Sequence, residues 1–186
     1  HHRYPLPENP GIFTMRKIVS SLILACFVLS TSPAVAKELT PADKRTEVAD
    51  FELGDVKGKT FKLSAHKGKV VAVSFWASWC EPCKQELNFL NKYKKANPDK
   101  NFEIVAVATD APETLAKVKS YVKKKRWKFP VPLDTEGKVS ALLNPRGATP
   151  FAMFIDKNGK LAYSHEGFKS GDEEKYKPLI NTLLSE

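Results

Sequence analysis

The stretch Val70-Val71-Ala72-Val73-Ser74-Phe75-Trp76-Ala77-Ser78-Trp79-Cys80-Glu81-Pro82-Cys83-Lys84 decides how this chain is read. Val70 to Phe75 is an almost continuous apolar run, the pattern of a central strand covered on both faces. Two cysteines with two residues between them follow it. Such a pair can close a small disulfide or hold a metal. Here it opens a helix predicted from about Cys80 to Ala96 and ended by Asn97-Pro98. Unpaired backbone N–H groups at a helix start stabilise a thiolate, so the setting points to redox chemistry. Cys80 is expected to be the exposed, attacking thiol. Cys83, one turn deeper, is expected to close the disulfide. Pro82 is tolerated in the first turn because its missing N–H has no helical partner to lose.

Outward from that stretch, strands and helices alternate. Phe102 to Ala108 repeats the buried-strand pattern, and Pro112 to Arg126 is helical with Leu115, Val118 and Val122 on one face. Phe129 to Leu133 is a short extended piece broken by prolines, and Lys138 to Leu143 a short helix. Phe151 to Ile155 and Lys160 to His165 read as strands joined by the turn Asp156-Lys157-Asn158-Gly159. A last helix runs from about Asp172 to Leu184, with Ser170 and Glu173 spaced as a capping box. Before the central strand, Phe51 to Leu63 alternates around Gly54 and Gly58 as a hairpin. The pattern predicts an α/β domain: a central mixed sheet flanked by helices, with an N-terminal β extension.

The start of the chain reads differently. Met15-Arg16-Lys17 is a basic start, Ile18 to Leu29 an apolar core, and Ala34-Val35-Ala36 a small-residue cleavage site. The apolar core is too short for a membrane span. Residues 15–36 are therefore expected to be a cleavable export signal, 1–14 an upstream extension, 37–49 a flexible leader, and 50–186 the domain. Cys26 lies inside the apolar core and reads as a small hydrophobe there; a lipid-bearing cysteine is the alternative. Cleavage after Ala36 would remove Arg3, Arg16, Lys17 and Glu8 and take the formal charge from +9 to +7. Export argues against nucleic acid as the partner of this basic chain, and the charge is read as solubility with a bias toward acidic partners. In an oxidising compartment a cysteine pair is ordinarily oxidised. So short a loop adds little as a staple, which favours a site over a structural bridge.

Helical spacing from Cys83 places Glu86 at i+3, Leu87 at i+4 and Leu90 at i+7. The leucines turn that face inward, so Glu86 is a carboxylate near the second sulfur, with its pKa raised by burial. It could accept the proton of Cys83. A solvated helix-edge glutamate is the plain alternative. Trp79 is expected to cover the site and contact peptide, or else to be a packed core residue. Trp76 is expected in the core. The basic run from Lys117 to Lys128 reads as a solvated helix face or a docking patch for an acidic partner. His165 reads as a surface histidine.

Taken together, Trp79-Cys80-Glu81-Pro82-Cys83, Glu86, the export signal and a later Thr149-Pro150 before a strand resemble the extracytoplasmic TlpA/ResA-like thiol-disulfide oxidoreductases of thioredoxin fold. The resemblance covers about residues 50–186. It implies a cis Thr149-Pro150 bond facing the cysteines, where an extended substrate segment can pair; a trans proline opening a strand is the plain alternative. The substrate-facing set is then Trp79, Pro82, Thr149 and Pro150. The family often has Pro-Thr where this chain has Pro150-Phe151. Ser74 stands where cytosolic thioredoxins carry an acid, which would move the acid role to Glu86. Residues 112–133 look like the helix-plus-strand insert of the subfamily. A negative Glu81 near Cys80 would not favour its thiolate, and a less stabilised thiolate makes a weaker oxidant, so a periplasmic reductase of protein disulfides, kept reduced by a membrane thiol-transfer protein, is expected. The resemblance implies roles such as keeping apocytochrome c cysteines reduced for haem attachment. No cofactor or metal beyond the Cys80–Cys83 pair is expected.

Other functions fit parts of the pattern. A disulfide-forming oxidase or isomerase would use the same scaffold. A thiol peroxidase would want a Thr or Ser where Ala77 stands and a proline where Val73 stands. A copper chaperone could use two soft thiolates, although no Met or His ligand lies near them in the sequence.

Overall fold

The computed structural model describes residues 38–186. The export segment, the upstream residues and Cys26 lie outside the described residues. Strands β1 (Glu52–Gly54) and β2 (Thr60–Lys62) form an antiparallel hairpin. β3 (Val70–Trp76) leads through the cysteine loop into α1 (Glu81–Ala96) and then β4 (Phe102–Ala108). Next come α2 (Leu115–Lys125) and α3 (Lys138–Leu143). β5 (Phe151–Ile155), β6 (Leu161–Glu166) and α4 (Glu173–Ser185) complete the chain. Among the described residues no helix is long and apolar enough to cross a membrane.

The main sheet has the order β4-β3-β5-β6. β3 and β4 are parallel, as a strand–helix–strand crossover requires, and the β5–β6 hairpin joins antiparallel to β3. The hairpin turns at Asp156–Gly159, where Gly159 takes φ 82° and the Asp156 carboxylate accepts the Asn158 and Lys160 amides. Every residue of β3 is buried. Strand alternation splits it between two apolar layers. Val70, Ala72 and Trp76 face a layer with Leu87 and Leu90 of α1 and Leu179, Ile180 and Leu183 of α4. Val71, Val73 and Phe75 face the other, with Phe51, Phe61, Leu63 and Val139. α1 buries Cys83, Glu86, Leu87, Leu90 and Tyr93, the stripe its spacing predicts.

Three expectations change. Residues 38–49 of the expected flexible leader are folded onto the domain. The Thr40 amide donates to Ala162, the Val48 amide to Gly159, and the Leu161 amide to Thr46. Arg45 explains the attachment. Its guanidinium donates to both carboxylate oxygens of Glu186 at 2.6 and 2.9 Å, to Asp156 at 3.1 Å and to the Thr40 carbonyl at 2.8 Å. A short polar segment is thus fastened by one bidentate arginine. Second, the capping box does not form. Asp172 is the N-cap of α4 without a side-chain bond to the helix, and Glu173 instead accepts the Gly171 amide. Third, the helix expected from Pro112 starts as a 3-10 turn, Pro112–Thr114, and ends at Arg126 in the left-handed region at φ 52°. The piece after it continues the sheet. The Ala106 and Ala108 amides donate to Pro130 and Pro132, while the Val56 and Leu133 amides tie it to the N-terminal hairpin.

Arg45→Met should cost about 1–2 kcal/mol, because buried Asp156 loses its counter-ion and keeps only the Asn158 and Lys160 amides. Urea denaturation at neutral pH checks this. A loss below about 0.5 kcal/mol would class the clamp with ordinary surface pairs.

Candidate active site

β3 ends at Trp76, and the chain turns through Ala77, Ser78 and Trp79 before α1 begins. The turn is held by register. Trp76 of β3 lies opposite Ala108 of β4 in the parallel pair, so residues two beyond each strand end are brought together. These are Ser78 and Asp110. The Ser78 amide donates to one Asp110 oxygen at 2.8 Å and its hydroxyl to the other at 2.5 Å. Thr109 closes the same corner, its amide and hydroxyl both donating to the Trp76 carbonyl. Asp110 is buried. Its role was not legible in the sequence, since a lone aspartate after a strand carries no periodic signal.

Cys80 is the N-cap of α1, and its sulfur accepts the Cys83 amide at 3.3 Å. The two sulfurs are bonded to each other, with the Cα atoms 5.4 Å apart. Pro82 lies in the first turn, as predicted. Cys83 is inaccessible, and Cys80 is only 4% exposed, less open than its expected role suggested. Cys80 belongs to the same apolar layer as Trp76, Ala77 and Cys83. Trp79 is 71% exposed, so it stands beside the pair as a free aromatic surface and not as a core residue. Trp76 is fully buried and donates its indole N–H to the Ala106 carbonyl at 3.2 Å.

Thr149-Pro150 is cis. The register of β5 against β3 pairs Phe151 with Phe75, which sets Pro150 beside the end of β3 where the cysteine loop departs. Pro150 is buried and Thr149 half-buried. The Pro150 carbonyl accepts the Gly167 amide, whereas no hydrogen bond among the described residues uses the Thr149 amide or carbonyl.

Glu86 lies beneath, with no exposed surface. Ser74 donates to one of its oxygens at 2.6 Å and Tyr176 of α4 to the other at 2.7 Å. Alternation along β3 puts Ser74 on the α1 face, where Glu86 satisfies its buried hydroxyl. Burial pushes the Glu86 carboxyl up to about 7, against the pull of the two hydroxyls. Burial and the adjoining Glu86 also raise the Tyr176 hydroxyl. Asp172 adds negative potential from the helix start. Burial works to raise its own pKa, but the Lys169 amide and His165 hold it below the usual range. His165, expected at the surface, is half-buried with its Nε2 3.4 Å from Asp172. Tyr176 was hidden in the sequence, because it occupies an apolar-stripe position of α4 where only its ring is anticipated.

The cavity lined by Leu63, His66, Val71 and Ile155 is at the opposite end of β3 from the cysteines. Among the described residues no three His, Cys, Asp or Glu side chains converge as metal ligands.

The AhpC/TSA family profile matches residues 45–164. The chain belongs to that family. It is 37% identical over 115 residues to a thiol-disulfide oxidoreductase ResA of Bacillus cereus, covering 62% of this chain and 65% of that protein's length. It is 35% identical over 129 residues to ResA of Bacillus thuringiensis subsp. konkukian, covering 68% of this chain and 72% of the relative. A Chlorobium tepidum crystal structure, described as a candidate thiol:disulfide interchange protein DsbE, superposes with a TM-score of 0.69 at 33% identity, covering 76% of this chain and 98% of that one. Within its family the chain is thus a ResA-like thiol-disulfide oxidoreductase of thioredoxin fold.

The raised Glu86 pKa makes stability depend on pH. Between about 4.5 and about 7 the folded state holds a proton that the unfolded chain has released, so stability falls as pH rises through that window. The loss should approach about 3 kcal/mol above the window. Glu86→Gln should flatten the profile of the oxidised protein, measured by denaturant unfolding across the range. An unchanged slope would show that Glu86 ionises as an ordinary carboxylate.

Proposed function

We propose that this ResA-like protein works outside the cytoplasm as a reductase of protein disulfides, with Cys80 as the attacking thiol and Cys83 as the resolving one. The observation that carries the reading is the stacking of Cys80 at the N-cap, Cys83 one turn inside, and Glu86 buried beneath. The Cys80 thiolate attacks one sulfur of a substrate disulfide and expels the other as a thiolate. The Cys83 thiolate then attacks the Cys80 sulfur of the mixed disulfide and releases the substrate's second sulfur. Two electrons pass to the substrate, and the Cys80–Cys83 disulfide remains. No cofactor is needed for that exchange.

Glu86 shares the buried face of α1 with Cys83, and a carboxyl that titrates near neutrality can take the Cys83 proton as the mixed disulfide resolves. Once ionised, the same carboxylate opposes a second negative charge at Cys83. A thiolate that is not strongly stabilised makes its disulfide a weak oxidant, which favours the reductase direction. Glu81 contributes little to this, since it is exposed and paired with Lys84 at 3.3 Å. Trp79, Pro82 and Thr149 form the substrate-facing surface with buried Pro150 fixing the backbone behind it, and the free Thr149 backbone suits an added strand. Electrons are resupplied by a membrane thiol-transfer protein, and apocytochrome c cysteines are a fitting target. Residues 15–36 direct export to the periplasm, with cleavage near Ala36.

The second reading, a disulfide-forming oxidase, uses the same residues and differs in potential. A Cys80–Cys83 potential near about −270 mV, measured against dithiothreitol buffers, is expected; one near about −120 mV would make the protein an oxidant. The thiol roles are tested separately. Cys83→Ser should accumulate a mixed disulfide with substrate through Cys80, whereas Cys80→Ser should trap none. Trapping through Cys83 instead would reverse the assignment.

A further inference from the structure

Residues 117–128 carry seven cations and no acid. All seven are exposed, and none is ion-paired among the described residues. Other exposed lysines, among them Lys67, Lys69, Lys92 and Lys95, are also without an ion pair among the described residues, so what sets this run apart is its density, seven cations between residues 117 and 128. Helix stability does not account for this run. The helix dipole favours cations in the last turn of α2, where Lys123, Lys124 and Lys125 lie. It disfavours Lys117 near the start, and Lys119 and Lys123 repel each other at i,i+4.

Position gives the run a meaning. Lys117 and Lys124 line the same shallow groove as Ser120, Tyr121 and Ser78, and Ser78 is two residues before Cys80. Tyr121 fixes α2 there. Its ring is 5.9 Å from Trp76 between centroids and has Lys84 5.1 Å above it, and its hydroxyl accepts from Asn88 at 3.4 Å. The exposed Trp79 borders the cysteine pair in the same loop. A polypeptide whose sulfur reaches Cys80 therefore has cations within reach of its flanking residues.

Lys119, Lys123, Arg126 and Lys128 line a separate groove with Val56, so the edge beside the cysteine loop is that of Lys117 and Lys124. We propose that this Lys117–Lys124 edge of α2 is a docking rim for an acidic protein segment, so that the enzyme prefers disulfides flanked by Asp or Glu. The inference rests on the thiol-disulfide reading above and adds its substrate class. The occupant is a protein and not an anionic membrane, because the groove starts at the cysteine loop and its occupant has to bring a sulfur. Opposite charge across the rim speeds encounter and sets register more than it adds affinity.

The test follows oxidation of the reduced full-length protein by three disulfide peptides, identical except for Asp, Gln or Lys on both sides of each cysteine. At low salt the Asp peptide should react about tenfold faster than the Lys peptide. The ratio should collapse at about 0.5 M salt, where charges are screened within a few ångströms. Lys117→Glu with Lys124→Glu should reverse the order. Lys67→Glu with Lys69→Glu, the same charge change at the far end of β3, should leave it unchanged. Equal rates for Asp and Lys peptides in the unmodified protein would overturn the rim while leaving exchange chemistry intact. Equal rates together with phosphatidylserine-vesicle binding lost in the Lys117/Lys124 variant would assign the face to a membrane. A failure of even the Gln peptide to react would overturn both the function and the rim.

Discussion

A carboxylate without water governs the centre of this protein. Taking an ionised carboxyl out of solvent costs several kcal/mol unless donors replace the lost hydration. Glu86 receives two, one from Ser74 on β3 and one from Tyr176 on α4. Hydrogen bonds to a charged group return roughly 1.5–3 kcal/mol each, which offsets much of that cost without removing it. The group therefore settles near neutrality instead of ionising fully or staying an acid. The arrangement also ties three elements. α1 supplies the carboxyl, β3 one hydroxyl, and α4 the other, so the last helix must dock in one orientation for the interior to be satisfied.

The cysteine loop depends on the same sheet for a different reason. Parallel pairing of β3 and β4 sets the ends of both strands level, and that alone brings Ser78 to Asp110. Two bonds to one buried carboxylate then hold the turn that delivers Cys80 to the helix start. The antiparallel pairing of β5 brings Pro150 to the same strand end. Three features far apart in sequence thus meet because they share the C-terminal end of β3. The chemistry sits where the strand order forces neighbouring loops together.

Much of this was legible. Continuous apolar runs marked β3 and β4, helical spacing from Cys83 exposed Glu86 and its leucine neighbours, and Asp156–Gly159 marked the β5–β6 turn. These signals are local, and burial enforces them. Tyr176 and Asp110 were not legible, since their partners come from other elements and depend on register or docking. The leader misled for a related reason. Its polarity suggested mobility, whereas one arginine reaching Asp156 and Glu186 holds it. The Ser170–Glu173 spacing fitted a cap, yet Glu173 turned back to Gly171. Spacing shows which groups could meet and leaves open which pairing prevails.

Charge is used in two ways in this molecule, and the dielectric separates them. Inside, a single carboxyl between two hydroxyls has its protonation decided by burial, and salt in solution barely reaches it. On α2, a run of cations in water acts over about a Debye length and is weakened by salt. The buried group belongs to elements of the thioredoxin-like frame, and the exposed run belongs to the insert between β4 and α3. Bond exchange and partner preference are therefore carried by separate parts of the chain. A change in the exposed cations of the insert can alter which proteins approach Cys80 without disturbing the proton balance beneath Cys83, since Glu86 is bonded to Ser74 and Tyr176 and to no residue of the insert.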